Sequence, residues 1–373
     1  MSSLFEDLKQ GLEEAIEYEK GKGKKMKKIV ALLTTLFLLA LPFGVKAEEM
    51  PDIHGQFGVA IDARTGEILY DKNANEKAYP ASTTKIMTAM LLDEHVKDGE
   101  MMTASEKAAG QEASNLHFKL TAGEEISKED AMYALMLLSS NDVAMTIAEH
   151  IGGNQEGFSK MMNEKAAEIG AKNTHFTSPN GLHDPNHYTT VYDMALIAKE
   201  AMKHPFVMEV MGTKTKNIQT SKQKQEITNP SKIHDNPLAI GGKTGYTNAA
   251  QNTLVEILQK GNKQVIAVVM KSTLAEEYND IQIMGDVAFS AMNDYKKVVN
   301  KGDIASTKTI EKTEMNYLVS EDVYAEVEKG KKQEITTKIK AYDLEEKEVK
   351  KGDVIGQMTV LNQGKINGLL SID

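Results

Sequence analysis

The chain has no cysteine among its 373 residues, which excludes disulfides, thiolate zinc sites and cysteine nucleophiles. Basic excess is also missing: 44 Lys and Arg stand against 54 Asp and Glu, a net charge of -10, so the basic face of a nucleic-acid binder is not expected. The nine histidines are scattered and form no His-Glu-x-x-His run, so no metal and no other cofactor is expected. His183 and His187 flank Asp184, but no third ligand has suitable spacing, and they are read as loop residues. Arg64 is the one arginine of the chain. No apolar run is long enough to cross a bilayer: the best, Ile29 to Leu41, has about 13 residues where about 20 are needed.

That run has another reading. Lys24, Lys25, Lys27 and Lys28 precede it, Pro42 and Gly44 break it, and Val45-Lys46-Ala47 offers a small residue at a cut. Basic, apolar and small residues in that order make a secretory signal peptide over residues 26–47, so the protein is expected to be exported, with cleavage after Ala47. Residues 1–25 come before it, with Leu4, Leu8, Leu12 and Ile16 at helical spacing. Met26 followed by two lysines reads as the natural start, and the upstream stretch as a mis-called start or an unrelated appendage.

What remains has ordinary globular composition, 41% hydrophobic and 26% charged, and is long enough for two domains. Gly58 to Asp71 reads as a hairpin turning through Gly66. Helical patterns follow over about 83–95, 128–138, 142–151, 157–170 and 190–203. Met87, Met90, Met132 and Met136 are read as core packing. The polar stretch 205–238 is expected to form loops with short strands. Residues 253–258 and 264–270 read as a hairpin of buried strands, and Glu277 to Val299 as a last helix. This order predicts an α+β domain over 48–299, an antiparallel sheet faced by helices. From about 300 to 373, short alternating strands and Gly turns predict a small all-β domain.

Three short motifs occur in order: Ser82-Thr83-Thr84-Lys85, Ser139-Ser140-Asn141 and Lys243-Thr244-Gly245. Alone, each has a plainer explanation. Ser82 reads as a helix cap, Lys85 as a solvated helix lysine, Asn141-Asp142 as another cap, and Lys243-Thr244-Gly245 as a turn. Ser221-Lys222-Gln223-Lys224 and Ser178-Pro179-Asn180 repeat two of the patterns by chance. Context separates them, because Ser82 opens a strongly apolar stretch while Ser221 lies among lysines and Ser178 starts a turn signal. The ordered triple outweighs its parts.

The spacing has a chemical reason. Residues i and i+3 share a helix face, so Lys85 stands one turn behind Ser82. A serine hydroxyl needs a base, and lysine can serve only if burial or a nearby cation lowers its ordinary pKa of about 10.4. Lys243 supplies such a cation. Ser139 can relay a proton to a leaving amine, and Asn141 can hold Lys85 or a substrate amide. Lys243 and Thr244 suit a substrate carboxylate, Gly245 lets backbone approach closely, and the Tyr246 amide can join the Ser82 amide as oxyanion donors.

With its flanking text, the chain resembles the penicillin-recognising serine enzymes, and among them the low-molecular-weight D-Ala-D-Ala carboxypeptidases of the S11 type. Ala81 to Ala89, Leu138 to Ala144, Asn173 to Leu182 and Gly242 to Thr247 carry that wording. The resemblance implies a penicillin-binding-protein/β-lactamase-like transpeptidase domain. It also implies attack by Ser82 on the bond between the last two D-alanines of a peptidoglycan stem peptide, with β-lactams as inhibitors. Two departures stand out: the family's carboxylate-binding Arg is replaced by Tyr278, and no amphipathic anchoring stretch precedes Asp373. The chain is therefore read as anchor-free or truncated, and peripheral membrane association is left open. The rivals are a β-lactamase, for which no Glu-x-x-Leu-Asn motif is found between Asn141 and Lys243, and a non-catalytic wall-binding or β-lactam-sensing module.

Overall fold

In the computed structural model, strands β1 (Phe57–Asp62) and β2 (Ile68–Lys72) form the expected hairpin, turning through Gly66 at φ +80°. The structure describes residues 50–114, 118–300 and 302, then 304–310, 313–319, 323–327, 335–341, 356–362 and 365–372. The export segment and the stretch before it, residues 1–47, lie outside the described residues.

After a 3₁₀ turn at Ala81–Thr84 comes helix α1 (Lys85–His95). A small β pair, β3 (Met101–Thr103) and β4 (Glu125–Ser127), flanks the short α2 (Glu106–Ala109). Helices α3 (Lys128–Leu137), α4 (Asn141–Gly152), α5 (Gln155–Ile169) and α6 (Val191–Ala201) follow. Three of these starts are capped as their sequences suggest: the Ser127, Asn154 and Thr190 side chains accept from backbone amides three residues on, opening α3, α5 and α6, whereas Ser140 before α4 makes no such bond. The stretch 205–238 holds more than loops and strands. It begins with α7 (Pro205–Met211), with Pro205 in the first turn, where its missing N–H costs nothing. The hairpin β5 (Thr215–Gln219) and β6 (Lys224–Thr228) comes next.

Strands β7 (Ala239–Thr247), β8 (Gln251–Lys260) and β9 (Lys263–Ser272) complete an antiparallel sheet in the order β2-β1-β9-β8-β7. Alternation decides its two faces. Ile257, Ile266 and Val268 pack with Val59 and Ile61 against the helical layer, whereas Leu254, Leu258, Val265 and Val269 face α8 (Glu277–Ala291). Helix α1 is buried all round, with α3 to α7 packed about it, which is why its sequence is apolar on more than one face. Met87, Met90, Met132 and Met136 are all core, each adding about 1.5–3 kcal/mol of burial.

The last helix is shorter than expected. It stops at Ala291, Met292 is extended, and Asp294–Val299 forms strand β10. That strand pairs antiparallel with a later one, from Asp294 opposite Val327 to Val299 opposite Val323. A ladder partner far along the chain overrides the local helical pattern. The described residues of the tail are strands only: β11 (Ile304–Ile310) with β12 (Thr313–Leu318), β13 (Val323–Val327) with β10, and β14 (Ile335–Ala341), β15 (Gly356–Asn362) and β16 (Lys365–Ile372) together. Where β10 and β13 meet the first hairpin, the Arg64 guanidinium lies 4.0 Å from the Tyr324 ring centre and 5.1 Å from that of Tyr295.

Candidate active site

Ser82 lies in the 3₁₀ turn just before α1, and regular α geometry begins only at Lys85. No side chain caps either the turn or the helix, so Ser82 is not the cap that its position suggests. The turn is held from outside. The Pro80 carbonyl accepts from the Thr83 amide and hydroxyl and from Thr253 Oγ1 on β8, at 3.3, 2.7 and 3.0 Å. Ala81 takes φ +49°, a left-handed conformation that costs a non-glycine residue about 1 kcal/mol or more and persists only where its surroundings impose it.

Two glycines let other segments press against this turn. A Cβ on Gly245 would lie 2.7 Å from the Ser82 amide nitrogen, and one on Gly181, at φ +79°, only 1.9 Å from the Ala81 carbonyl oxygen. Edge strand β7 and the loop after Phe176 therefore reach the Ala81–Thr84 turn by backbone alone.

Lys85 is fully buried beneath Ser82. Its Nζ lies 2.9 Å from Ser82 Oγ, 2.8 Å from Asn141 Oδ1 and 2.8 Å from the Asn180 carbonyl oxygen. Asn141 Nδ2 donates to the Glu112 carbonyl at 3.0 Å, which fixes the amide so that Oδ1 faces the lysine. Burial holds the Lys85 amine well below the usual lysine range, the Lys243 cation adds to the shift, and Asp142 opposes it. Lys243 is itself buried, and desolvation lowers it to about 7. Its Nζ donates to Ser139 Oγ at 3.1 Å and to the Thr244 carbonyl at 2.8 Å. Ser139 sits past the end of α3 at φ +58°, so the hydroxyl is aimed by a strained loop, not by a helix.

A cavity of about 630 Å³ is lined by Ser82, Ser139, Asn141, Lys243, Thr244, Gly245, Tyr246 and Tyr278. Tyr246 is 61% exposed at its rim. Of the residues singled out by sequence, Lys85 alone lies under the floor. Tyr278 reaches the far end, where its phenol oxygen accepts from the Lys232 amide at 3.0 Å.

Sequence reasoning passed over the Pro179-Asn180-Gly181 segment as a turn, yet its backbone is part of the site. Thr88 Oγ1 donates to the Pro179 carbonyl at 2.6 Å, and the Asn180 carbonyl is a partner of Lys85. His187, read as a loop residue, is buried below it. Its Nδ1 accepts from the Thr177 amide at 3.0 Å, so Nε2 carries the hydrogen and donates to Thr84 Oγ1 at 2.9 Å. Burial lowers this imidazole to about 4, so it is neutral. The signal was in the resemblance: Asn173 to Leu182 is one of its matching stretches.

Comparison with known proteins gives the same answer for most of the chain. The family model for D-alanyl-D-alanine carboxypeptidases of the S11 type matches residues 44–273, and that for the C-terminal domain of penicillin-binding protein 5 matches residues 294–370. The D-alanyl-D-alanine carboxypeptidase DacF of Bacillus subtilis is 33% identical over 320 residues, covering 83% of this chain and 82% of that protein. DacA of Haemophilus influenzae is 30% identical over 360 residues, 90% of this chain and 89% of the relative. Among solved structures, a D-alanyl-D-alanine carboxypeptidase of Mycobacterium tuberculosis superposes with TM-score 0.62 at 28% identity, over 66% of this chain and 95% of its own. Penicillin-binding protein 5 of Haemophilus influenzae gives TM-score 0.60 at 26% identity, over 87% and 97%.

Proposed function

The chain belongs to the S11 family of D-alanyl-D-alanine carboxypeptidases, and we propose that it removes the terminal D-alanine of peptidoglycan stem pentapeptides through an acyl-enzyme on Ser82. The observation that carries this is the 2.9 Å contact between Lys85 Nζ and Ser82 Oγ at the floor of the cavity.

The proton inventory supports lysine as base. Asn141 Oδ1 and the Asn180 carbonyl can only accept, so a neutral Lys85 spends both its hydrogens on them and turns its lone pair toward Ser82. The amine takes the hydroxyl proton as Oγ attacks the penultimate D-Ala carbonyl. The carbonyl oxygen becomes an oxyanion between the Ser82 and Tyr246 amides, and each such donor is worth about 10²–10³ in rate. The proton that Lys85 has taken passes by way of Ser139 to the departing amine, which leaves the lysine neutral again, and Lys243 and Thr244 hold the terminal carboxylate. Water, deprotonated by the same lysine, then cleaves the ester and restores Ser82. A β-lactam entering the groove acylates Ser82 in the same way and stays bound. The basic, apolar and small residues of 24–47 support action outside the cytoplasm on the cell wall.

Two measurements test this reading. Mass spectrometry after labelling with a penicillin should find one adduct, on the peptide containing Ser82, and D-alanine release from an acyl-D-Ala-D-Ala peptide should vanish in Ser82→Ala. An adduct with no D-alanine release would favour the sensing module, and rapid turnover of the penicillin would favour a β-lactamase.

A further inference from the structure

The cavity above Ser82 continues past Tyr246 to Lys232, Asn252, Leu274, Glu277 and Tyr278. Glu277 opens α8 and is 1% exposed, and its Oε2 is buried with no hydrogen-bond partner. The Asn252 side chain serves the carboxyl, and Asn252 stands opposite Tyr246 in the β7–β8 ladder. On the same side of the sheet, Glu256 stands opposite Gly242, the residue before Lys243. Glu256 is also 1% exposed: its Oε2 accepts from Asn236 Nδ2 at 3.0 Å, and its Oε1 has no partner. The groove thus has two lysines beside Ser82 and, beyond Tyr246, one incompletely bonded carboxyl group, Glu277, with Glu256 outside the cavity lining.

We propose that Glu277 is a specificity-determining residue whose protonation sets how tightly the groove holds a substrate ending in a carboxylate. This deepens the carboxypeptidase reading and rests on it. A neutral Glu277 adds no charge to the end of the groove, whereas an ionised one places a buried negative charge beside the same cavity that must take the anionic terminus. In a poorly solvated site that repulsion is screened much less than in water. Burial pushes both Glu277 and Glu256 up to about 7, the Glu277 charge raises Glu256 further, and Asp280 raises Glu277. Lys232 opposes the shift of Glu277. Of the other charged or titratable groups here, the Tyr278 phenol is pushed up to about 12 by burial and stays neutral. Asp235 lies near Tyr278, and Lys243, lowered to about 7, loses its charge over the same interval.

Lys243 and Glu277 therefore act in the same direction, and the variants must separate them. The experiment is steady-state release of D-alanine from diacetyl-L-Lys-D-Ala-D-Ala between about pH 5.5 and about pH 8.5. Wild type, Glu277→Gln and Glu256→Gln are compared. In wild type KM rises with pH. In Glu277→Gln the rise shrinks by about fivefold, leaving the part due to Lys243, and the difference is confined to KM. In Glu256→Gln the KM profile stays that of wild type, because Glu256 lies outside the cavity lining, so a general effect of losing a buried carboxyl is told apart from the charge of Glu277. KM profiles that superimpose in all three proteins would overturn the proposal while leaving the carboxypeptidase reading intact. No D-alanine release from wild type at any pH would overturn both.

Discussion

Lys85 Nζ lies 2.9 Å from Ser82 Oγ, while its two other hydrogen bonds end on oxygens that can only accept. In the proposed mechanism burial of the amine serves the chemistry, because desolvation lowers its proton affinity and the two acceptors leave Ser82 as the one direction for a lone pair.

Replacing the amine should therefore separate stability from activity. Lys85→Met is expected to lose about 10³-fold in the rate of acylation by penicillin and in D-alanine release while still unfolding cooperatively, with a stability cost limited to about 1–3 kcal/mol for each of the two acceptors left unpaired. General-base catalysis is worth about 10²–10⁴ in rate, so a variant that kept most of its acylation rate would count against lysine as base.

The pH profile follows from the same shifts. Acylation should rise with pH as the last proton leaves Lys85, whose affinity for it is lowered by burial and by Lys243. Above about 7 the charge on Lys243 is lost, and binding of a terminal carboxylate weakens. A bell-shaped kcat/KM with a rising kcat is expected; a kcat that falls from neutral to mildly alkaline pH contradicts it.

Gly181 tests the backbone contribution. At φ +79°, with a virtual Cβ 1.9 Å from the Ala81 carbonyl, Gly181→Ala must displace either the nucleophile turn or the loop that offers the Asn180 carbonyl. A loss of about 2–4 kcal/mol in denaturant unfolding is expected, together with slowed acylation. Gly153→Ala, which meets nothing within 4 Å though also at positive φ, should cost about 1 kcal/mol and leave acylation unchanged.

Glu256 gives a stability prediction with a definite sign. Its folded pKa, about 7, lies above the ordinary 4.5, so the native state binds this proton more tightly than the unfolded chain. Stability linked to it is fully present below the unfolded value and is lost as pH rises through about 7. Glu256→Gln should therefore be more stable than wild type at mildly alkaline pH, by about 1–3 kcal/mol, and show no such gain in acid. Equal differences in thermal unfolding at both ends would refute the assignment.

Arg64 reaches across from the β1–β2 turn to rings on β10 and β13. Arg64→Ala should cost about 1–2 kcal/mol through lost cation–π contact and packing, seen in denaturant unfolding, with D-alanine release unaffected. Unchanged unfolding would show that the junction is held by other contacts.

Much of the site was readable because its key relation is local. Lys85 stands three positions after Ser82, and helical geometry alone brings such residues to one face. The apolar runs of 253–258 and 264–270 likewise marked buried strands, and alternation sends their side chains to two buried faces. What could not be read was carried by backbone or by distance. The Asn180 carbonyl has no side chain to announce it, and its contact with Lys85 spans 95 positions. Strand β10 looked like helix because its ladder partner lies beyond it in the chain.

From its residues alone the protein had its export signal proposed, its three motifs ordered and its nucleophile paired with a base. Only the tertiary structure decided the proton affinities of the lysines gathered there, because a lysine's proton affinity depends on the water around it. Burying Lys85 and Lys243 in one groove, and Glu256 and Glu277 behind its edge strand, required the whole sheet and its helices to close.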